Sequence, residues 1–147
     1  MAIVNIKIET LVHAPIDFVW STWNSANHVV HWNHASDDWH SPKAENNFVV
    51  GGKFVYRMEA KDKSFGFDFS GTYEEIVDKK RVVTRLDDSR LVITDFMDEN
   101  GDVRIVETFE AEDENSIELQ KEGWSAILNN YKLYTEGLLN KKSKLVD

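Results

Sequence analysis

The chain opens on a period-two pattern. Val4, Ile6, Ile8 and Val12 fall on one side of residues 2–13, and Asn5, Lys7 and Glu9 on the other. Successive side chains of a strand point to opposite faces, so this alternation predicts a half-buried strand. Ala14-Pro15 ends it, because proline fixes φ and suits the first turn of a helix. Ile16, Val19, Trp20 and Trp23 then recur at helical spacing, and a second helical stretch is expected near residues 27–32. Residues 33–45 have no clean periodicity.

From residue 46 the pattern is β throughout. Phe48 to Val50 lead into Gly51-Gly52, a turn or strand bend, after which Phe54, Tyr56 and Met58 alternate with Val55, Arg57 and Glu59. Asp62-Lys63 turns the chain, and Phe65, Phe67, Phe69, Gly71 and Tyr73 line one face of a long strand. Two more strands follow, over residues 81–86 and 90–97. Asn100-Gly101 predicts a tight hairpin, since both residues tolerate the positive φ that such turns require, and it leads into a strand over residues 103–109.

The last element has a different period. Asn115 or Ser116 can cap a helix, and Ile117, Trp124, Ile127, Leu128, Tyr131, Tyr134 and Leu138 form a stripe at three- and four-residue spacing. The helix is expected to reach about residue 140, roughly 36 Å at 1.5 Å per residue. Gly123 interrupts it at about 1 kcal/mol relative to alanine, which points to close backbone approach or to room for something to pack. One strand, two short helices, about six antiparallel strands and one long helix make an α+β order. A curved sheet of that kind must cover its concave face, and only the final helix is long enough to do so.

Composition narrows the function classes. The 147 residues suit a single domain over 1–147, with no repeat or linker to divide them. A net charge of −9 argues against nucleic acid and anionic membranes. The basic run Lys141, Lys142 and Lys144 reads as a solvated helix end favoured by the helix dipole. Without cysteine there is no disulfide, thiolate catalyst or cysteine-ligated zinc. The first residues read as a strand rather than a signal peptide, and no apolar run is long enough to span a bilayer, so a cytoplasmic location is expected.

Several local motifs taken together resemble one family over essentially the whole chain. They are Ala14-Pro15 with Val19-Trp20, Trp32-Asn33, Asp38-Trp39-His40, Gly51-Gly52-Lys53-Phe54, and Phe67-Asp68-Phe69 with Gly71-Thr72-Tyr73. Asp88-Ser89-Arg90, Glu107-Thr108-Phe109, and Gln120 with Gly123-Trp124 and Ile127-Leu128-Asn129-Asn130 continue the match. The chain resembles a stand-alone bacterial member of the family named for the activator of the ninety-kilodalton heat-shock chaperone's ATPase. That family belongs to the START-like (SRPBCC), helix-grip superfamily, which also holds polyketide cyclases, aromatase domains and lipid carriers. The resemblance implies a seven-stranded antiparallel sheet wrapped round the C-terminal helix, with a cavity between them. Its name implies a chaperone partner.

The candidate ligand-binding set is Trp32, Trp39, Phe54, Tyr56, Phe67, Phe69, Trp124 and Tyr131. These rings either line a pocket for a flat or lipid-like molecule or fill the space between sheet and helix, since both uses occupy the same inward positions. Trp32 and Trp39 lie in or beside the irregular segment that would rim a pocket mouth, and the stripe through Trp124, Tyr131 and Leu138 would form one wall. His31, His34 and His40 with Asp37 and Asp38 match no compact zinc spacing and read as a polar loop with one or two hydrogen-bonded histidines. No metal or cofactor is expected.

For acid–base chemistry the sequence offers Arg57, Asp68, Asp95, Glu107 and His40. A carboxylate facing an apolar cavity would have a raised pKa and could move protons. Alternation puts Asp68 on the opposite face from Phe67 and Phe69, and Arg57 and Glu107 could form a cross-strand pair. Three functions follow as expectations. The first is a non-catalytic module for a small apolar ligand. The second is a cyclase-, aromatase- or hydrolase-type enzyme on a polyketide-like substrate. The third is a chaperone ATPase activator.

Overall fold

The N-terminal and C-terminal parts of the chain meet at one edge of a curved sheet. The computed structural model describes residues 3–146, with side chains through residue 141. Ala2, at the start of the expected first strand, and the side chains of Lys142 and Lys144 lie outside it. The elements run β1 (Asn5–Val12), α1 (Ile16–Asn24), α2 (Ala26–Trp32), β2 (Trp39–His40), β3 (Ala44–Asn46), β4 (Lys53–Ala60), β5 (Gly66–Val77), β6 (Arg81–Leu86), β7 (Leu91–Glu99), β8 (Asp102–Glu110) and α3 (Ile117–Val146). All pairings are antiparallel, in the order β1-β8-β7-β6-β5-β4, with β2 and β3 both on the free edge of β4. The sheet is therefore seven positions wide, its last strand broken into two short pieces. This is the helix-grip fold.

The alternation seen in the sequence becomes an inner and an outer face. On β8, Val103, Ile105, Glu107 and Phe109 are buried at every second position, and on β7 Val92, Thr94 and Phe96 do the same. The outer face carries cross-strand ion pairs, including Arg81 with Asp95 at 2.7 Å and Arg85 with Glu74 at 3.1 Å. A register shift between Tyr73 and Glu75 on β5 marks a bulge, which bends the strand and helps the sheet to curl. Asn100 and Gly101 both have positive φ, 58° and 97°, as their hairpin requires.

Three local expectations are corrected. Phe48 to Val50 form a turn rather than a strand, and Gly52 closes it so tightly that a Cβ there would collide with the Asn47 carbonyl oxygen. The aperiodic segment 33–45 holds β2 and the start of β3, pieces too short to show a period. Finally, α3 runs to Val146 rather than to about residue 140.

Ser116 caps α3, its Oγ accepting from the Leu119 N–H at 3.1 Å. The C-terminal half of the helix is pinned. Tyr131 is fully buried and its hydroxyl donates to the Val19 carbonyl at 3.0 Å while lying 2.8 Å from the Thr22 hydroxyl. Lys132 donates to the Leu11 carbonyl at 2.6 Å, and Glu136 accepts from the His13 N–H at 2.8 Å. The helix is thus tied to β1 and α1 along this half, and its N-terminal half spans the open part of the sheet.

Candidate functional site

The space beneath the N-terminal half of α3 is a cavity of about 580 Å³. Its floor is made of inward positions on five strands: Phe54, Tyr56 and Met58 on β4, Phe67, Phe69 and Tyr73 on β5, Val82 and Thr84 on β6, Val92 and Thr94 on β7, and Glu107 on β8. Leu119, Gln120, Gly123, Trp124 and Ile127 of α3 form the roof, and Trp23 and Trp32 close one end. Its volume lies within the range of sites for drug-sized ligands.

The rings form a connected wall. Trp124 stacks on Phe109 with centroids 3.8 Å apart and meets Phe69 edge to face at 5.8 Å. Phe69 continues to Phe54 at 5.9 Å, and Phe54 to Tyr56 at 5.0 Å. Burial pushes the Tyr56 hydroxyl well above its ordinary pKa, with the neighbouring Tyr73 hydroxyl adding to the shift.

Of the eight candidate ligand residues, Trp32, Phe54, Tyr56, Phe67, Phe69 and Trp124 line this cavity. Two lie elsewhere. Tyr131 sits behind the end wall, edge-on to Trp23 at 4.8 Å and to Trp32 at 5.0 Å, where its hydroxyl bonds hold α3 to α1. It shares a helical stripe with Trp124, but the turns between them carry it past the end of the cavity. Trp39, on the broken edge strand, packs against Phe65 and Phe67 at 6.0 and 6.1 Å from outside the cavity lining.

The acid–base candidates separate in the same way. Asp68 and Arg57 face outward and pair with each other at 3.3 Å, and Arg57 also holds Glu59 at 2.9 Å. Asp95 pairs with Arg81 on the outer face. His40 is on β2, 3.9 Å from Glu59. Only Glu107 enters the cavity wall. The expected pairing of Arg57 with Glu107 is ruled out by topology, since β5, β6 and β7 separate β4 from β8.

Glu107 is 8% exposed, and among the described residues its carboxyl group has no hydrogen-bond or ion-pair partner. Its neighbours across the ladder are Ile8 and Thr94. Burial alone pushes its carboxyl up to about 8, so it is mostly protonated at neutral pH. The signal for this in the sequence is a glutamate on the apolar phase of a strand, between Ile105 and Phe109.

The histidines do not converge on a metal. His31 stacks on Tyr134 with planes 11° apart, and the His34 ring lies 2.9 Å from the Asn130 side-chain nitrogen. Among the described residues no group of three His, Cys, Asp or Glu is placed to hold an ion, and no helix is long and apolar enough to cross a membrane.

The family described as Activator of Hsp90 ATPase homolog 1-like protein matches residues 13–136. The chain belongs to that family. Among its solved relatives is the AHSA1-like protein from Aeromonas hydrophila, with 39% identity, 92% of this chain and 94% of that chain covered, and a TM-score of 0.86. Chr148 from Cytophaga hutchinsonii is 40% identical over the same shares of the two chains, with a TM-score of 0.79. A protein of unknown function from Staphylococcus aureus, SA2116, shares the fold at 15% identity and a TM-score of 0.72, with coverage of 95% and 97%. No curated protein matches the chain.

Proposed function

We propose that this family member binds a small apolar ligand, aromatic or lipid-like, in the cavity between the sheet and the N-terminal half of α3. The observation that carries the reading is a cavity of about 580 Å³ lined by rings and holding one buried carboxyl group, Glu107, that has no partner among the described residues. A packed core leaves few voids larger than a water molecule and does not leave a buried carboxyl unpaired. A cytoplasmic setting and a small-molecule partner belong to this reading. Native mass spectrometry of the freshly purified chain tests it. The expected outcome is a co-purified small molecule, or uptake of an added apolar probe with quenching of tryptophan fluorescence. A chain that carries nothing and takes up no probe would contradict the proposal.

Glu107 also favours a second reading, in which the cavity performs acid–base chemistry on a polyketide-like substrate. A carboxyl group poised to hold a proton near neutrality can serve as a general acid. Turnover lost in Glu107→Gln with substrate binding retained would support that reading. Activation of the Hsp90 ATPase, the activity in the family's description, is tested directly by adding the chain to a cognate Hsp90 and measuring ATP hydrolysis.

A further inference from the structure

We infer that the cavity selects an organic cation: an ammonium group on an apolar, ring-sized body, held with its charge against the Glu107 carboxylate and its carbon faces against the surrounding rings. The inference rests on the ligand-binding reading above and names the class of ligand.

Glu107 is isolated. It stands on the inward face of β8, next to Phe109, whose ring stacks on Trp124. No described side chain hydrogen-bonds to it or neutralises it, and Thr94 and Ile8 opposite it carry no charge. A buried carboxylate needs a paired cation or a proton. Among the described residues only one cationic side chain, Arg90, lines the cavity, and its guanidinium is already bound to Asp88 at 2.8 Å. A charged Glu107 therefore needs a cation from outside the described residues, and without one it keeps its proton.

The lining suits the same ligand. Trp32, Phe54, Tyr56, Phe69 and Trp124 offer ring faces and edges around the same space. Aromatic faces attract cations through their quadrupoles, and rings gathered round an acidic group are a recurring way to hold alkylated ammonium. The field at the wall favours a cation as well. Glu112 and Glu114 stand with Arg90 at the wall, and the chain's net charge is −9. Carboxylates at a low-dielectric cleft raise the local concentration of cations and repel anions.

The proton balance is simple. Tyr56, Tyr73, Arg90, Glu112 and Glu114 are the other titratable groups of the wall, and none of them contributes to the upward shift of Glu107, which comes from burial. Burial keeps Glu107 mostly protonated near pH 7. An ammonium ion entering from water replaces that proton, leaving carboxylate and ammonium as a buried pair and releasing one proton to solvent. A neutral ligand releases none.

Three probes on one frame test this: 2-naphthylmethylamine, 2-naphthylmethanol and 2-naphthoate, titrated into the full chain by calorimetry and tryptophan quenching. At pH 7 the amine is expected to bind at least ~10-fold more tightly than the alcohol, about 1.4 kcal/mol, and the carboxylate most weakly. Calorimetry in buffers of different ionisation enthalpy should show close to one proton released per amine bound and none for the alcohol. In Glu107→Gln the preference for the amine should vanish while the alcohol binds within about 3-fold of the wild type, a difference of about 0.6 kcal/mol. An alcohol that binds as tightly as the amine, or amine binding without proton release, overturns the inference while leaving the ligand cavity standing. Failure of all three probes overturns the inference and the ligand-binding reading together. The proton count is made on the wild type, so the test does not depend on how the variant folds.

Discussion

Trp124 and Phe109 lie face to face, 3.8 Å between centroids and 10° from parallel, across the joint between α3 and β8. This pair fixes the height of the helix over the cavity floor. It also connects the roof to the strand that carries Glu107.

Removing that spacer should loosen the roof. Trp124→Ala is expected to destabilise the chain by about 2 kcal/mol, below the usual cost for a fully buried tryptophan because Trp124 is half-buried. Trp124→Phe should recover more than half of that loss. Urea denaturation of the two variants gives the comparison, and an alanine variant as stable as wild type would show that the stack does not hold the helix. Naphthyl probe affinity should fall at least ~5-fold in Trp124→Ala, a loss of about 1 kcal/mol.

Tyr131 predicts the opposite split between stability and binding. Its hydroxyl bonds the Val19 carbonyl and the Thr22 hydroxyl in the core, away from the cavity lining. Tyr131→Phe should cost about 1–2 kcal/mol, since buried partners lose a hydrogen bond. Probe affinity should stay within about 2-fold of wild type, about 0.4 kcal/mol. Equal losses in both variants would place Tyr131 at the ligand after all.

Glu107 makes stability depend on pH with a definite sign. Its carboxyl titrates near 4.5 in an unfolded chain and about 8 in the fold. Below 4.5 both states hold the proton and nothing is lost. As pH rises toward 8 the unfolded state releases the proton first, so the fold loses stability, and above 8 the loss levels off. At pH 7 the loss amounts to roughly 3 kcal/mol. Glu107→Gln, which cannot titrate, should therefore be more stable than wild type at pH 7 and should flatten this part of the profile. Denaturation midpoints for both chains between pH 4 and 9 check it; parallel profiles would show that Glu107 titrates normally.

Gly123 borders the cavity, and a Cβ added there meets no atom within 4 Å. Gly123→Ala should raise stability by about 1 kcal/mol through helix propensity alone. Gly123→Phe should leave the fold intact and weaken probe binding by crowding the roof. Thermal melts of both variants with probe titration of the second separate these effects.

Much of the fold is legible in the residues. The period-two stretches, the Asn100-Gly101 turn and the long stripe after Ser116 each follow from local geometry. The inward phase of β4 and β5 puts Phe54, Tyr56, Phe67 and Phe69 on the concave face of the sheet. The two short pieces on the sheet edge are not legible, because strands of two and three residues have no period to read. Phe48 to Val50 mislead for the opposite reason: they look β-prone, but Gly52 and the Asn47 carbonyl hold them in a turn.

The sequence by itself determined which residues face inward, because side-chain direction along a strand or helix is a local property with a period of two or 3.6. Only the tertiary structure decided which inward residues meet open space and which meet one another. Tyr131 and Trp124 belong to one stripe, yet the bonds to Val19, Thr22 and Leu11 press the C-terminal half of α3 against β1 and α1 and leave the other half raised over the floor. Glu107 and Arg57 have opposite charges and both lie in strands, yet three strands stand between them. Strand order is a long-range choice that no local spacing carries, and it is that choice which leaves Glu107 without a partner among the described residues in a ring-lined cavity.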